Sequence, residues 1–279
     1  MTRSQQSLTL VDAHVHFRRC FEPLPFIQAA CSNFASAGRT LNPASKWVGV
    51  LCLTSAPGER GFERLKEGFR DEGGSERSAS RWQVEPSKEP TSFRFVNDGR
   101  VRMVVINGQQ IVSKEGLEVL AIGASPSFEG GRPVIDTILA IARCGALPVV
   151  PWGVGKWVGR RGQFVEELIR NPALPTFFLG DSANRPALWP RPSLFDRAKR
   201  KGINNLPGSD PLPFPDEVYQ VGSFGGVFDR ELEIERPAED LKCKLRDPRT
   251  VIRPYGTGER PARFIRNQVR MQFRKHFKV

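Results

Sequence analysis

The amino-acid sequence predicts an α/β protein: a distorted, TIM-like βα barrel with a β-hairpin insertion and a basic C-terminal extension. Two observations carry this prediction. An apolar, β-favouring run at residues 8–15, a helical segment at 21–37 and a second apolar run at 46–54 form a β-α-β unit. From residue 133 onwards, short apolar strands alternate with amphipathic helices, which is typical of a parallel sheet covered by helices. Together the two parts favour a barrel.

The alternation in the second half is regular enough to assign its elements. A helix begins at Pro133, since proline suits a first helical position, and ends near Cys144. Its apolar stripe is formed by Ile135, Ile138, Leu139 and Ala142. The remaining predicted helices cover residues 162–170 and 193–201, and the predicted strands cover 146–151, 175–179 and 203–206.

An insertion is predicted between these two parts. Residues 58–90 are rich in Gly, Ser, Glu, Arg and Lys, and predict a short helix followed by a mobile loop. Residues 93–123 contain Asn97-Asp98-Gly99 and Asn107-Gly108, which are strong turn signals between β-rich runs. We therefore expect a β-hairpin that leads into a strand at 117–123.

The chain is predicted to divide at residue 227. Residues 1–227 carry the barrel pattern, whereas residues 228–279 are charged segments that contain prolines. The last of them, 260–277, predict a basic amphipathic helix in which apolar positions alternate with five arginines and a lysine. The apolar positions are Phe264, Val269, Met271 and Phe273.

The net charge of +12 predicts attraction to something anionic. Nucleic acid, an anionic membrane surface and a phosphorylated small-molecule substrate all fit, and charge alone does not separate them. A local effect of the basic segment 246–278 is an equally good explanation. Nucleic acid has no recognised motif to support it and ranks last.

The spacing of the cysteines and the absence of long apolar runs indicate the compartment and the redox state of the thiols. The five cysteines are widely spaced and contain no C-x-x-C pair, so the sequence suggests neither a disulfide framework nor a zinc ribbon. No apolar run approaches the roughly 18 residues of a membrane span, and the first residues lack the apolar core of a signal peptide. We therefore expect a cytoplasmic protein.

The most informative stretch is Asp12-Ala13-His14-Val15-His16. Side chains alternate between the two faces of a strand, so His14 and His16 point the same way and can converge on one cation. The alternative is a pair of histidines hydrogen-bonded in the barrel interior. That alternative is costly, because two titratable rings on one inward face need partners.

The stretch VDAHVHF resembles the first-strand H-x-H motif of the amidohydrolase superfamily and of the polymerase and histidinol phosphatase (PHP) family. Two later stretches resemble the PHP family in particular: Gly116-Leu117-Glu118-Val119, where that family has a bridging glutamate, and Leu206-Pro207-Gly208-Ser209-Asp210, which is similar to its G-S-D-x-H stretch. The resemblance covers residues 8–226. It implies a metal-binding βα barrel with His14, His16, Glu118 and Asp210 as ligands at the C-terminal mouth.

The chain also departs from the family pattern. Leu212 stands where PHP proteins have a histidine after the G-S-D aspartate, and Pro151-Trp152-Gly153 stands where they have a His-Pro pair. The remaining histidine, His276, lies in the C-terminal segment. The resemblance therefore implies a reduced ligand set. For Glu118 the alternative to a ligand role is a solvated side chain, and for Asp210 it is a plain turn residue.

Two other predicted strand ends add polar candidates. Asp181 follows the strand at 175–179 and could act as a general base, a metal ligand or a helix cap, the last being the commonest role. Arg185 in the same loop is a candidate substrate contact. The glycine-rich loop after Pro151 carries Lys156 as a candidate catalytic cation. It also carries the candidate substrate-binding residues Arg160, Arg161 and Trp152. For Trp152, simple packing is an alternative.

The sequence thus supports two hypotheses of different classes. The first is a metal-dependent hydrolase, acting on phosphoesters with one or two divalent cations, for which Mn or Zn suits mixed imidazole and carboxylate ligands. The second is a barrel that has lost catalysis and binds an acidic partner through its basic C-terminal segment. The missing histidines favour the second hypothesis, and the net charge agrees with both.

Overall fold

The computed structural model describes residues 7–69, 81–125 and 127–277, with side chains described as far as Arg274. This part of the chain contains eleven strands and seven α-helices. The strands are β1 Ser7–Val15, β2 Lys46–Leu53, β3 Trp82–Pro86, β4 Ser92–Asn97, β5 Arg100–Ile106, β6 Gly108–Val112, β7 Glu118–Ile122, β8 Leu147–Pro151, β9 Phe178–Gly180, β10 Gly225–Phe228 and β11 Arg253–Tyr255. The helices are α1 Pro23–Leu41, α2 Gly61–Glu67, α3 Val134–Arg143, α4 Arg160–Arg170, α5 Ser193–Arg200, α6 Pro237–Arg246 and α7 Pro261–Phe277, with a 3-10 helix at Pro215–Gln220.

The strands form two sheets. The larger has the order β11-β10-β1-β2-β5-β4-β3, with β1, β2 and β5 parallel, and the smaller has the order β6-β7-β8-β9, with β8 and β9 parallel. The predicted α/β class is confirmed. The expected TIM-like barrel is not: the strands pair in two separate sheets, and β7 and β10 run antiparallel to their neighbours β8 and β1.

Short sets of backbone hydrogen bonds link the two sheets at two places. On one side the N–H of Gln110 donates to the carbonyl of Ser55 at 2.9 Å and the N–H of Ser55 donates to the carbonyl of Gly108 at 3.1 Å, which joins β6 to the segment after β2. On the other side the N–H of Ala13 donates to the carbonyl of Pro207 at 3.1 Å, which joins β1 to the segment after α5. These few bonds replace continuous strand pairing. The carboxyl end of β1 therefore lies near both β6 and the segment after α5.

The predicted hairpin is confirmed at one of its two turn signals. Strands β4 and β5 pair antiparallel around Asp98 and Gly99, which have φ angles of 52° and 68°. Positive φ at both central residues is what a tight type I′ turn requires, and Asp-Gly tolerates it. The signal at Asn107-Gly108 marks the passage from one sheet to the other instead. A Cβ atom on Gly108 would lie 2.7 Å from the carbonyl oxygen of Leu53, so the glycine permits the close approach of the two sheets.

The segment 58–90 contains the predicted short helix, which is α2, and an unpredicted edge strand, β3. The part of the predicted mobile loop at residues 70–80 lies outside the described residues. Strand β3 carries alternating polar positions and ends at Pro86, which only an edge strand accommodates readily. Its weak apolar pattern explains why the sequence did not indicate it.

Residues 228–277 are packed onto the rest of the fold. Strand β11 pairs with β10 and so extends the larger sheet, and the unpredicted helix α6 buries Ala238, Leu241 and Leu245. The predicted amphipathic helix is present as α7. The division at residue 227 stays a prediction. Within the described residues, no helix is both long and apolar enough to cross a membrane.

The core consists of three apolar clusters that fix the two sheets. One packs β1 and β2 against α1, where Phe34 is fully buried above Gly49. A Cβ atom at position 49 would lie 2.3 Å from the Phe34 ring, so only glycine admits it. The second packs the smaller sheet against α3, α4 and α5, and the third joins residues of both sheets to α6. This interior packing holds β1 and the later strand ends in place around a polar cluster at the carboxyl end of β1.

Candidate metal centre

His14 and His16 converge as the strand period predicts. Their Nε2 atoms lie 3.1 Å apart, and both side chains are buried. The Nε2 atom of His14 also lies 3.4 Å from Oε1 of Gln110 on β6. The two sheets thus contribute to one polar cluster at the carboxyl end of β1.

Asp210 completes this cluster. Its Oδ1 atom lies 3.7 Å from Nε2 of His14 and 3.7 Å from Nε2 of His16. Ligand atoms about 2.1 Å from a tetrahedral ion lie about 3.4 Å from one another, so separations of this size suit one shared cation. Within the described residues, these three form the one group of histidine, cysteine and carboxylate side chains close enough to hold a metal ion.

The backbone of Asp210 is held in an unusual conformation. Its φ angle is 47°, in the left-handed region that aspartate tolerates better than most residues. The N–H of Asp210 donates to the carbonyl of His14 at 2.7 Å, and its own carbonyl accepts from Nδ2 of Asn184 at 2.7 Å. Because two bonds fix the backbone, the carboxylate is aimed at the histidines before any ion binds.

Gly208 allows this segment to reach β1. A Cβ atom at position 208 would lie 2.3 Å from the backbone nitrogen of His14, which is far inside van der Waals contact. The glycine of the Gly-Ser-Asp stretch is therefore required for the approach of Asp210 to the histidines.

Asp12 is the positioning residue that the sequence analysis did not single out. Its fully buried carboxylate accepts hydrogen bonds from the N–H of Ser209 at 2.8 Å, the hydroxyl of Ser209 at 2.5 Å and the N–H of Gly222 at 2.8 Å. Burial raises the pKa of Asp12 to about 7, although these bonds act in the opposite direction. The pairing of β1 shifts register between Asp12 and Val15, so strict strand alternation does not place Asp12 on the face of His14 and His16. The signal that could have indicated Asp12 is a carboxylate within an apolar strand, which needs hydrogen-bond donors when it is buried.

His16 is poorly satisfied by protein groups. Its Nδ1 atom is buried without a hydrogen-bond partner in the described part of the chain. Burial, and then the nearby charge of Arg18, lower the pKa of His16 well below its ordinary value, with a further contribution from Lys156. A neutral imidazole is the form that binds metal, and His16 would bind an ion through Nε2, the atom that faces His14 and Asp210.

Glu118 lies outside the three-residue cluster. It is the first residue of β7, which runs antiparallel to β8, and its carboxylate forms an ion pair with Nζ of Lys156 in the loop that follows β8. The structure thus brings two predicted site residues together with each other. Their predicted roles, as a metal ligand and as a catalytic cation, stay predictions.

Asp181 and Arg185 also pair with each other. The guanidinium of Arg185 donates through Nε and Nη2 to the two carboxylate oxygens of Asp181, both at 2.9 Å. The N–H of Ser182 donates to Oδ1 as well, which is a bond within the loop, and the next helix, α5, begins only at Ser193. This loop carries Asn184, which holds the carbonyl of Asp210, so the pair stabilises a second support of the cluster.

The three predicted substrate-binding residues of the glycine-rich loop have different contacts in the structure. Trp152 is buried in the second apolar cluster, which agrees with the packing alternative. Arg161 donates to the carbonyl of Gly155 at 2.8 Å, and Arg160 is exposed above the ring of Phe164. None of the three contacts the histidine cluster in the interactions described, and their role in substrate binding stays a prediction.

Comparison with known proteins gives a likeness in fold. No protein-family model matches this chain, and no curated protein sequence matches it. PsfC from Pseudomonas syringae PB-5123 matches its structure with a TM-score of 0.55 and 15% sequence identity, over 95% of this chain and 98% of PsfC. Since the likeness extends over nearly all of both chains, it shows that they share a fold.

Two structures of Endonuclease Q are more distant matches. One is a complex with a 27-mer duplex that carries an abasic lesion at the active site, with a TM-score of 0.47. The other is the lesion-specific endonuclease from Pyrococcus furiosus, with a TM-score of 0.45. Both are 12% identical to this chain, cover 86% and 88% of it, and are themselves covered over 56% and 57% of their length.

Proposed function

We propose that this protein is a metal-dependent hydrolase of the PHP type that cleaves phosphoesters at a site formed by His14, His16 and Asp210. One observation carries the proposal: two buried imidazoles and a carboxylate held by a left-handed backbone meet within 3.7 Å, and a cation would satisfy all three. The supporting observation is that the links between the two sheets bring Gln110 and the segment of Asp210 to the end of β1.

A divalent cation bound here would supply Lewis-acid polarisation of a phosphoryl oxygen. Mn or Zn suits two imidazoles and a carboxylate. In the proposal, the chain itself positions the ligands: Asp12 holds Ser209, and Gly208 admits the segment that carries Asp210. Preformed ligand geometry lowers the cost of ordering the site when the ion and the substrate bind.

Lys156 and Asp181 have distinct roles in the proposal. Lys156, whose charge acts on His16, neutralises the phosphoester when it exchanges Glu118 for the substrate. Asp181 accepts the proton: Oδ1 has two donors in Arg185 and Ser182, whereas Oδ2 has one and keeps a free lone pair.

Metal analysis tests the proposal most directly. The full-length protein is purified without chelator, and its metal content and its hydrolysis of p-nitrophenyl phosphate and bis(p-nitrophenyl) phosphate are measured. We expect stoichiometric Mn or Zn and activity in the wild type, and loss of both in His14→Ala. The matched control is His276→Ala, which removes the histidine outside the proposed ligand set. A metal-free, inactive wild type contradicts the proposal.

The alternative of a binding or scaffold protein gains no support from the C-terminal helix. Arg266 and Arg270 of α7 form ion pairs with Asp216, and Arg263 forms one with Glu217. These arginines therefore face the protein's own carboxylates rather than an acidic partner.

A further inference from the structure

A basic cleft of about 400 Å³ is formed in part by residues that follow the proposed metal ligands in the chain and in part by α7. It is lined by Arg18, Arg19, Cys20, Glu59, Pro213, Met271 and Arg274. Three of these side chains are guanidinium groups and one is a carboxylate. Clefts of this size hold small-molecule ligands, and those with converging charged groups hold ligands of opposite charge.

The chain order places this cleft next to the ligands. Arg18 and Arg19 stand two and three residues after His16, and Pro213 stands three residues after Asp210, so the backbones of these residues lie within about 11 Å of a ligand backbone. A molecule in the cleft is therefore within reach of the metal centre.

The positive charge of the cleft is incompletely neutralised. Nη1 of Arg18 lies 3.6 Å from Oε1 of Glu59, and Nε of Arg18 is buried without a partner in the described part of the chain. Arg19 is exposed and forms no hydrogen bond or ion pair with the described residues. Arg274 donates to the carbonyl of Pro213, and no carboxylate of the described chain pairs with it. Buried donors without acceptors and clustered cations are costly unless an anion binds them.

Helix α7 supplies one wall of the cleft, and the protein holds it firmly. Arg270 donates to both carboxylate oxygens of Asp216 at 2.8 and 2.9 Å and stacks on the ring of Phe214 at 3.8 Å. These contacts lie one turn before Arg274 and fix where its guanidinium can reach. The basic C-terminal helix is thus built into the site.

We infer that this cleft binds a second phosphate group of a small phosphorylated substrate, whose scissile ester lies at His14, His16 and Asp210. The inference rests on the proposed function and names the substrate class: a small molecule with two anionic groups. Guanidinium groups bind phosphate through paired N–H donors, and three of them surround one volume here. A small molecule is favoured over a nucleic acid because the cleft is walled on one side by α7.

Anion binding to the metal-free protein tests the inference separately from catalysis. Pyrophosphate is titrated calorimetrically into the full-length protein at low salt after removal of metal with a chelator. We expect saturable binding, weakened about tenfold or more in the double variant Arg19→Gln/Arg274→Gln. The control is Arg39→Gln/Arg200→Gln, which changes the net charge equally at the carboxyl ends of α1 and α5, and we expect it to bind as the wild type does.

Three outcomes overturn the inference. The first is absence of pyrophosphate binding by the wild type, and the second is equal weakening in the test and control variants, which shows a general charge effect. The third is tighter binding of a single-stranded oligonucleotide than of pyrophosphate, with that preference lost in the test variant. Circular dichroism and unchanged metal content of the variants confirm that they fold. Failure to bind metal contradicts the proposed function alone, because pyrophosphate binding is measured without metal.

Discussion

The cluster at the end of β1 and the ion-pair network under α7 both gather polar side chains, but they are satisfied in opposite ways. Around α7, arginines lie against carboxylates: Arg263 against Glu217, and Arg266 and Arg270 against Asp216. At the end of β1, His14, His16 and Asp210 turn ligand atoms toward one another. Groups that neutralise each other stabilise a structure, whereas converging acceptors need something else between them.

This comparison predicts that the two regions fail differently when they are altered. Loss of a member of the histidine cluster removes an ion-binding site and few protein contacts. Loss of a member of the α7 network leaves an opposite charge without its partner, which is a stability defect. The four predictions below test this separation, starting with the largest expected effect.

Asp210→Ala should abolish stoichiometric metal binding. One of three converging ligand atoms is removed, and the two imidazoles alone hold a divalent ion weakly. The thermal unfolding temperature of the chelator-treated protein should fall only modestly, through the strain of alanine at a φ of 47°, because the carboxylate of Asp210 has its contacts with the two histidines. Metal analysis and thermal unfolding of the metal-free protein provide the two measurements. Retention of full metal content by the variant contradicts the assigned ligand set.

Asp12→Ala should lower both stability and metal affinity. The variant leaves the N–H groups of Ser209 and Gly222 and the hydroxyl of Ser209 without their acceptor, at a cost of about 1–3 kcal/mol for each buried group. Because Ser209 precedes Asp210, we also expect metal affinity to fall about tenfold or more. Urea unfolding and metal titration measure the two effects. Asp12→Asn, which keeps an acceptor oxygen, is the control and should lose less of each.

Glu217→Ala should destabilise the fold and leave metal binding intact. Glu217 is buried and accepts from Arg263 and from Nδ2 of Asn267. Its removal takes one acceptor from each of these donors, which keep Glu259 as a neighbour, at a cost of about 2 kcal/mol. Urea unfolding should show this loss, and metal content should equal that of the wild type. A variant that loses metal while keeping its stability refutes the separation of the two regions.

Glu259 gives the smallest expected effect, a dependence of stability on pH. Burial, and then the nearby carboxylate of Glu217, raise the pKa of Glu259 from 4.5 to about 7 in the folded protein. The folded state therefore holds the proton more tightly than the unfolded state does. This contribution to stability is complete below pH 4.5 and is lost as the pH rises through 7. Urea unfolding is measured for the wild type and for Glu259→Gln at about pH 5 and about pH 8, which lie on either side of the raised pKa. Between these two pH values the free energy of unfolding should fall more in the wild type than in the variant.

How far the sequence could predict the fold depends on how local each signal is. The Asp98-Gly99 turn was predicted correctly because its positive φ angles are a property of those two residues. The similar Asn107-Gly108 signal does not make a hairpin, since its glycine serves the contact between sheets that a local pattern does not contain. For the same reason the alternation of strands and helices indicated the α/β class but not the division into two sheets.

The candidate site shows the same division between local and long-range information. The period of a strand was enough to bring His14 and His16 together. It gave no means of telling that Glu118 pairs with Lys156 or that Asp181 pairs with Arg185. Those partners come from loops after other strands, and an ion pair between loops has no signature in either sequence segment.

By itself, the sequence determined the α/β class, the paired histidines at the end of the first strand and the amphipathic character of the C-terminal helix. Each follows from a period or a turn within a few residues. Only the tertiary structure decided that Asp12 bonds Ser209, 197 positions away, and so presents Asp210 to the histidines. It also decided that α7 forms one wall of the cleft that Arg18 and Arg19 line. The physical reason is that these contacts depend on how two sheets and a helix pack, which no single segment specifies.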